Sequence, residues 1–476
     1  MIWERCTVVC MTLPTIDIDS PTSLIEAKNI MQMLANSLEI SLKENSQLKK
    51  QISLLKEEIA KLKGQPKRPL FKESGSSSVT RLLKETKLWS KTSKKNTLEI
   101  DREERLSEVA TCTCGCTTFT TLRTTKKIVQ NISLKKDTIA YKGRAKKCQR
   151  CGRVFKSLIP KEIAGRTFSK ELSSLLSFLV YGCRMTQPLI LRMLCGMGIQ
   201  ISSGQISNLL MENGNILQKA DHHLRTEGIA GSPHLQSDAS GAKRKDKITG
   251  KIKNQYVQVI SNKLLSIFSI TPKYNVKTLN RLLTKKGREK LLVSDDSSTN
   301  GDRLSQGKQL CFVHEIRHYK KLFPFFTKHR HLQQQILSQW QHFYHLAKHY
   351  GESPLEQREQ KKAEIQNLFN QITSQVTGFD LLDHQLHLTQ KKRSRLLLFL
   401  DHPKLPIHNN QCEQDLRQFV IMRKITGGTK SVAGDKGLAR HLSVIQTAQK
   451  QGLDVLSTLH GLLTQTLSPS VLTATN

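Results

Sequence analysis

From Leu24 to Leu62 apolar side chains recur alternately three and four residues apart, through Ala27, Met31, Leu34, Leu38, Leu48, Ile52, Leu55 and Ile59, with Ser41 and Asn45 the polar members of the series. This heptad predicts a coiled coil that joins copies of the chain, Asn45 at an a position fixing register at some cost in stability. A single amphipathic helix packed on the body is the alternative, but the pattern outlasts an ordinary globular helix. Periodicity then stops, and Gly64 to Asn96, rich in Lys, Ser and Gly, reads as a flexible basic linker.

Further on, Thr186 to Leu194 reads as a helix, Gly196-Met197-Gly198 as a tight turn and Ser202 to Leu210 as a capped second helix. That is helix-turn-helix spacing, with Gln205, Ser207 and Asn208 placed to reach base edges or phosphates; a plain helical hairpin is the bland reading. The pattern next shifts to short strands. His234 to Asp238 ends in an acid, Tyr256–Ile260 and Leu264–Ile270 form a hairpin across Ser261-Asn262-Lys263, and the run Leu291–Ser294 ends in Asp295 and Asp296. A basic helix, Val276 to Lys290, separates the last two, and a further strand is expected at Leu310–Val313. Leu332–Tyr350, Pro354–Ser374 and Leu381–Leu400 read as helices, followed by a helix N-capped by Asn410 that carries Glu413 in its first turn and Arg417 one turn later.

That order predicts a multidomain α/β chain: an RNase H-like catalytic core with a helical insertion, preceded by a coiled coil, a zinc-binding module and a helix-turn-helix region. The segments fall at 1–64 (coiled coil), 65–105 (basic linker), 106–160 (zinc module), 161–230 (helix-turn-helix region), 231–323 (first part of the core), 324–400 (insertion), 401–450 (second part, with the Glu413 helix) and 451–476 (tail). The 118-position separation of Asp295 and Glu413 exceeds what a minimal core needs, hence the insertion, either a DNA- or partner-contacting subdomain or a buttress.

Composition narrows the partners. With 75 Lys plus Arg against 39 Asp plus Glu, the formal charge of +36 is an electrostatic footprint for a polyanion, and double-stranded DNA is the expected partner. No apolar run is long enough to span a bilayer, so no membrane partner is expected. Thr7 to Leu13 is too short and poorly flanked for a signal peptide, and 11 cysteines without one suit thiols or metal ligands in a bacterial-type cytoplasm, near the nucleoid. Cys112-Thr113-Cys114-Gly115-Cys116 and Cys148-Gln149-Arg150-Cys151-Gly152 suggest a structural zinc site. Cys148 and Cys151 have zinc-knuckle spacing, and Cys112 with Cys114 or Cys116 would complete four thiolates. The module would present Lys142, Arg144, Lys146, Lys147, Arg150 and Arg153 to DNA.

Asp238, one of Asp295 and Asp296, and Glu413 are the carboxylates that such a core would bring together. Three carboxylates can hold two Mg²⁺ ions about 4 Å apart, which clamp the attacking and leaving oxygens of a phosphoryl displacement, and oxygen ligands suit this hard cation. His314, Arg317, His318, Lys320 and Lys321 follow the second acid, while Arg417, Arg423, Lys424 and Lys430 form another cationic group beside the turn at Gly427-Gly428. Both groups are candidates for phosphate contacts. Cys311 and His314 lack a second ligand pair and read as a helix start rather than zinc ligands.

Four blocks, in this order, resemble the insertion sequence 66 family of transposases, a DDE group: Ser237-Asp238-Ala239-Ser240-Gly241-Ala242, Val293-Ser294-Asp295-Asp296, Cys311 to Lys321, and Asp401-His402-Pro403 through Arg417 to Arg423-Lys424. The resemblance covers nearly the whole chain. It implies a metal-binding triad of Asp238, Asp295 or Asp296, and Glu413, with Asp295 preferred as the first polar position leaving the strand. It further implies binding to the terminal repeats of the element and to target DNA, strand transfer by a freed 3′-OH, and small companion proteins. Two departures stand out: Ala239-Ser240 where many relatives carry an acid or threonine, and Phe312 where relatives tend to have tryptophan, so an aromatic is expected to pack there. The competing readings are a catalytically silent, transposase-derived DNA-binding protein and a metal-dependent nuclease without a joining step.

Overall fold

The computed structural model describes residues 24–62, 103, 113–118, 136–151, 153–160, 163–246, 249–296, 307–322, 324 and 326–473. Residues 1–45 with 136–476 form one compact unit and residues 46–135 a second. The linker expected at 65–105 lies outside the described residues apart from Glu103, and so does Cys112.

The heptad region is one helix, α1 (Leu24–Leu62). Its heptad positions Met31, Leu34 and Leu38 are exposed, as are Leu48, Ile52 and Leu55 in the second unit. Polar side chains hold the first part of α1 to the insertion. Asn36 Nδ2 donates to Gly378 O at 3.1 Å and to Asp380 Oδ1 at 2.9 Å, and Glu39 Oε1 accepts the Phe326 N–H at 3.0 Å. The Glu39 and His329 side chains, each 1% exposed, lie 3.1 Å apart.

A two-residue hairpin, β1 (Lys146–Lys147) with antiparallel β2 (Val154–Phe155), carries the second cysteine pair in its turn. The helical region comprises α2 (Lys170–Ser177), α3 (Gln187–Gly196), α4 (Ser203–Ile216) and α5 (Gln218–His223), with π-helical turns at Phe178–Gly182 and Leu224–Gly228. The expected hairpin is α3 and α4. Gly198 takes φ +77° at the turn, and Ser202 and Gln205 close a capping box in which each side chain accepts a backbone N–H of the other. Ser207 Oγ donates to Gln187 Oε1 at 3.2 Å, tying the two helices.

Next come β3 (His234–Lys245), β4 (Ile252–Ser261), β5 (Ser266–Thr271), α6 (Val276–Arg288), β6 (Leu291–Ser294), β7 (Gly307–Leu310) and α7 (Phe312–Lys320). Among the described residues the five strands form one mixed sheet in the order β5-β4-β3-β6-β7. The pairs β3–β4 and β4–β5 are antiparallel, whereas β3–β6 and β6–β7 are parallel. The final strand begins earlier than expected: Gly307–Leu310 pairs with β6, and Cys311 is the N-cap of α7, so residues 312 and 313 are already helical. Cys311 and His314 thus sit at a helix start, as read from the sequence.

The insertion contains α8 (Thr327–His349), α9 (Leu355–Thr373), α10 (Asp380–Lys391) and α11 (Arg393–Leu396). It packs around Phe312, which is fully buried and in ring contact with Trp340, Phe343 and Phe399, so an aromatic does fill this place. Then follow α12 (Asn410–Thr426), α13 (Val432–Lys450) and α14 (Val455–Thr464). The expected tail is therefore helical in part, because Leu459, Leu462 and Leu463 are buried in the core shared by β3, α6 and α13. An open strand edge would leave backbone N–H groups unpaired. Here α13 covers it: the Ser443 and Thr447 hydroxyls accept the N–H groups of Phe268 (2.9 Å) and Ser266 (3.1 Å) in β5.

Candidate active site

The parallel pairing of β3 with β6 sets Ser237 beside Ser294, so the residues that follow share one level of the sheet: Asp295 just past β6, and Asp238 not at a strand end as expected but within β3, which stays paired with β4 as far as Lys245. Glu413 comes from the first turn of α12. Three contacts pin that turn to the sheet. Asn409 Nδ2 donates to Ser237 O at 3.0 Å, the Cys412 N–H to Gln236 Oε1 at 3.3 Å, and Cys412 Sγ to Val259 O at 3.4 Å. Asn409, not Asn410, is the N-cap residue, and its side chain does not cap the helix because it is spent on β3.

The carboxylates act on one another through space. Asp238 is lifted from 3.8 to about 7, first by burial; the Ala239 N–H, donating to Oδ1 at 2.7 Å, opposes this, and the charges of Asp295 and Glu413 push it further up. From α7, His314 Nε2 lies 3.4 Å from Glu413 Oε1, and Arg317 Nη2 lies 3.6 Å from Glu413 Oε2. The Arg317 Nη1–H donates to His314 Nε2 at 3.1 Å, so that nitrogen is an acceptor and has no proton for Glu413. Burial holds His314 below its ordinary value, against the pull of Glu413. Glu413 Oε1 is consequently buried without a hydrogen-bond donor. The guanidinium beside Glu413 comes from Arg317 rather than from Arg417, which is exposed one turn along α12.

Asp296 turns elsewhere. Its Oδ2 lies 2.7 Å from Lys392 Nζ and its Oδ1 3.8 Å from Arg395 Nη1, both residues of the insertion. Lys392 also donates to buried Glu315 at 3.1 Å, and Glu315 accepts from Thr389 at 2.6 Å and Gln385 at 3.1 Å. Burial disfavours the Lys392 ammonium, but Asp296 and Glu315 outweigh it and raise its pKa. Neither Lys392 nor Glu315 was picked from the sequence: a Lys-Lys pair between helices carries no signal, and Glu315 shows only as an acid on the inward side of the Cys311–Lys321 block.

Among the described residues no three His, Cys, Asp or Glu side chains converge closely enough to hold one metal ion between them. The donor set nevertheless fits a hard divalent cation: all oxygen, one acceptor orphaned at Glu413, and an Asp238 raised by burial and by the charges of Asp295 and Glu413 beyond what Arg317 offsets. At the second cysteine pair, the Cys148 thiol is held below its ordinary value, chiefly by the Cys151 backbone N–H, then by the Cys151 side chain and the Arg150 N–H. Cys114 and Cys116 are exposed in the second unit. Arg144, Lys146 and Lys147 are exposed around β1. Gln205 has its carbonyl engaged in the capping box while Asn208 is exposed on α4. His318, Lys320 and Lys424 are exposed, and Arg423 is half-buried with Nη1 close over Gly241.

Acids on β3, past β6 and on α12, with His314 and Arg317 beside Glu413, mark the candidate site of a strongly basic α/β protein. Residues 167–436, more than half of the chain, match the transposase IS66 family, and the chain belongs to that family. It is also similar to the uncharacterized protein y4jO of Sinorhizobium fredii (strain NBRC 101917 / NGR234), 31% identical over 163 residues, which are 34% of this chain and 49% of that protein. The chain thus spans about half the length of the curated relative it matches. Among the described residues no helix is long and apolar enough to cross a membrane.

Proposed function

We propose that this chain is a metal-dependent DDE transposase that binds the ends of its insertion sequence, hydrolyses a phosphodiester there and joins the freed 3′-OH to target DNA. The observation that carries this reading is that Asp295 and Glu413 lie near enough to Asp238 for their charges to add to its burial in raising it to about 7. The strand order β5-β4-β3-β6-β7, with the first three strands antiparallel, supports the RNase H-like reading of the core.

Asp238, Asp295 and Glu413 are the residues that would hold two Mg²⁺ ions. When bound, the ions supply an activated water and neutralise charge at the scissile phosphate. The chain's own groups do the rest. Arg317, 47% exposed at its side chain, can donate to a phosphate oxygen while keeping Glu413 in place. His314, kept neutral by burial, adds no competing positive charge beside the acids. His318, Lys320, Arg417, Arg423 and Lys424 would contact the DNA backbone, and Gln205 and Asn208 on α4, with Arg144, Lys146 and Lys147 by the hairpin, the element ends.

A structural Zn²⁺ with Cys148 and Cys151 among its ligands is part of the same reading. The backbone N–H groups that face Cys148 support it, since such donors stabilise a thiolate ligand. Self-association through α1 is another part: its heptad stripe is exposed while its polar face is taken by the insertion. Purified chain, together with any companion proteins encoded beside it, should nick end-containing duplex DNA in Mg²⁺ and transfer that end to a second duplex. Asp238→Asn, Asp295→Asn and Glu413→Gln should each abolish both steps while retaining end binding. Unchanged nicking in all three would sink the reading.

A further inference from the structure

Two consecutive acids, Asp295 and Asp296, follow directly on β6, and neighbouring side chains leaving an extended strand point to opposite sides. Only one of the two can therefore face the cluster on β3 and α12. We propose that Lys392 of the insertion is a positioning residue for the carboxylate site: it draws Asp296 and Glu315 into one ionic knot, which leaves Asp295 turned toward Asp238 and Glu413. This inference rests on the transposase reading given above.

The knot joins three separate parts of the fold. Asp296 follows β6, Glu315 lies in the first turn of α7, and Lys392 is the C-cap residue of α10. The Lys392 side chain is 14% exposed and that of Glu315 4%, so the pair is shielded from water on the Glu315 side. Arg395 adds a second cation near Asp296, at 3.8 Å. Thr389 and Gln385, on the same α10, satisfy the other Glu315 oxygen. Tyr319 bonds Thr389 at 2.6 Å and carries the connection back to α7, one turn beyond Glu315. Since α7 also supplies His314 and Arg317 to Glu413, Lys392 fixes both the strand end that bears one acid and the helix that braces another. The insertion is then an integral wall of the site, and a disturbance at the end of α10 reaches the acids without any contact with DNA.

The test uses the full-length chain and Mn²⁺ as probe, titrated by calorimetry without DNA and so independently of turnover. Lys392→Met alone strands Glu315 as a buried charge, so the informative variant is Lys392→Met with Glu315→Gln, which removes both charges of the buried pair. Partners that orient metal ligands are worth about 10–100-fold in metal affinity, and Mn²⁺ binding should weaken on that scale. Affinity for end DNA should stay the same and kcat for strand transfer should fall. Lys392→Arg, which keeps the cation, should stay closer to the original chain than to the double variant. Asp295→Asn should abolish Mn²⁺ binding, and Asp296→Asn, which keeps an acceptor for Lys392, should only weaken it. Unchanged Mn²⁺ affinity in the double variant, while Glu413→Gln loses it, would overturn the role of Lys392 alone. The reverse order of the two aspartates would overturn it as well. Unchanged affinity in Glu413→Gln would instead remove the metal reading on which the proposal rests.

Discussion

Lys450→Met should unfold the chain far more easily, and the structure gives the scale. Lys450 Nζ lies among four oxygens: Asp415 Oδ2 at 2.5 Å, Asn262 O at 2.8 Å, Leu265 O at 2.9 Å and Ser261 Oγ at 3.0 Å. Asp415 Oδ2 also accepts from the hydroxyls of Ser261 at 2.6 Å and Ser266 at 2.7 Å. Both charged side chains are under a tenth exposed, 9% for Lys450 and 5% for Asp415. Removing the ammonium strands a carboxylate with no water to replace its partner, a loss of about 3–5 kcal/mol. Each kcal/mol moves Tm by roughly 2–4 °C in a large domain, so a drop on the order of 10 °C is expected in a calorimetric melt at neutral pH. Adding Asp415→Asn removes the stranded charge and should recover part of the loss, giving a coupling of about 1–3 kcal/mol in the double-mutant cycle. Because Asp415 lies two residues beyond Glu413 on α12, the single variant should also weaken the proposed DNA cutting even below its lowered Tm. A Tm within about 2 °C of the original would refute the argument that this pair is a desolvated anchor.

Other outcomes follow from the same reasoning. In the metal-free chain, Asp238 takes its proton more readily folded (about 7) than unfolded (3.8), so its contribution is present at low pH and is lost as pH rises through that window. The loss is up to about 4 kcal/mol; Asp238→Asn should abolish it, and a pH-independent stability difference between the two proteins from pH ~4 to ~8 would contradict the assignment. His441, pushed from 6.5 to about 4 by burial, stays neutral in the fold, stacked on Tyr181 at 4.1 Å. Its contribution is present above the unfolded value and falls by about 3 kcal/mol as pH drops through that window. His441→Gln should flatten that acid limb in denaturant titrations, and an unaltered limb would count against it. Gly428→Ala places a Cβ 2.2 Å from Lys243 O at φ +110°, so it should break the bridge between Thr429 and Arg244. A loss of about 1–3 kcal/mol is expected in urea unfolding, and a neutral result would mean the turn can adjust.

How much the sequence disclosed depended on how local the determinant was. The strands at Leu291–Ser294 and Tyr256–Ile260 were legible because each is a short apolar run with punctuated ends. The α3–α4 hairpin was legible because Gly198 and the Ser202–Gln205 box are local signals. β7 was misplaced because its residues, Gly307-Lys308-Gln309-Leu310, include buried polar groups: Gln309 is fully buried only because it bonds Leu310 O, Leu396 O and the Phe399 N–H. The cap of α12 slipped by one residue for a similar reason, since Asn409 spends its amide on Ser237, 172 positions away. Glu413 could be named from its place in a first helical turn; Asp238 was read as the end of a strand, whereas β3 runs on through Ala239 to Lys245 and holds it in mid-strand. The direction of Asp296 could not be read, because Lys392 and Arg395 reach it from the far end of the insertion. The two π-helical turns likewise carry no signal, as one extra residue in a helical turn leaves the apolar pattern nearly intact.

The central claim is that Asp238, Asp295 and Glu413 cut and rejoin DNA. Its most direct test is excision and integration of a marked element, built from the DNA that flanks this gene, in cells carrying either the original chain or Glu413→Ala with the companion genes present. The account predicts movement with the original chain and none with Glu413→Ala, while the variant still binds the element ends. Equal movement with both chains would contradict it.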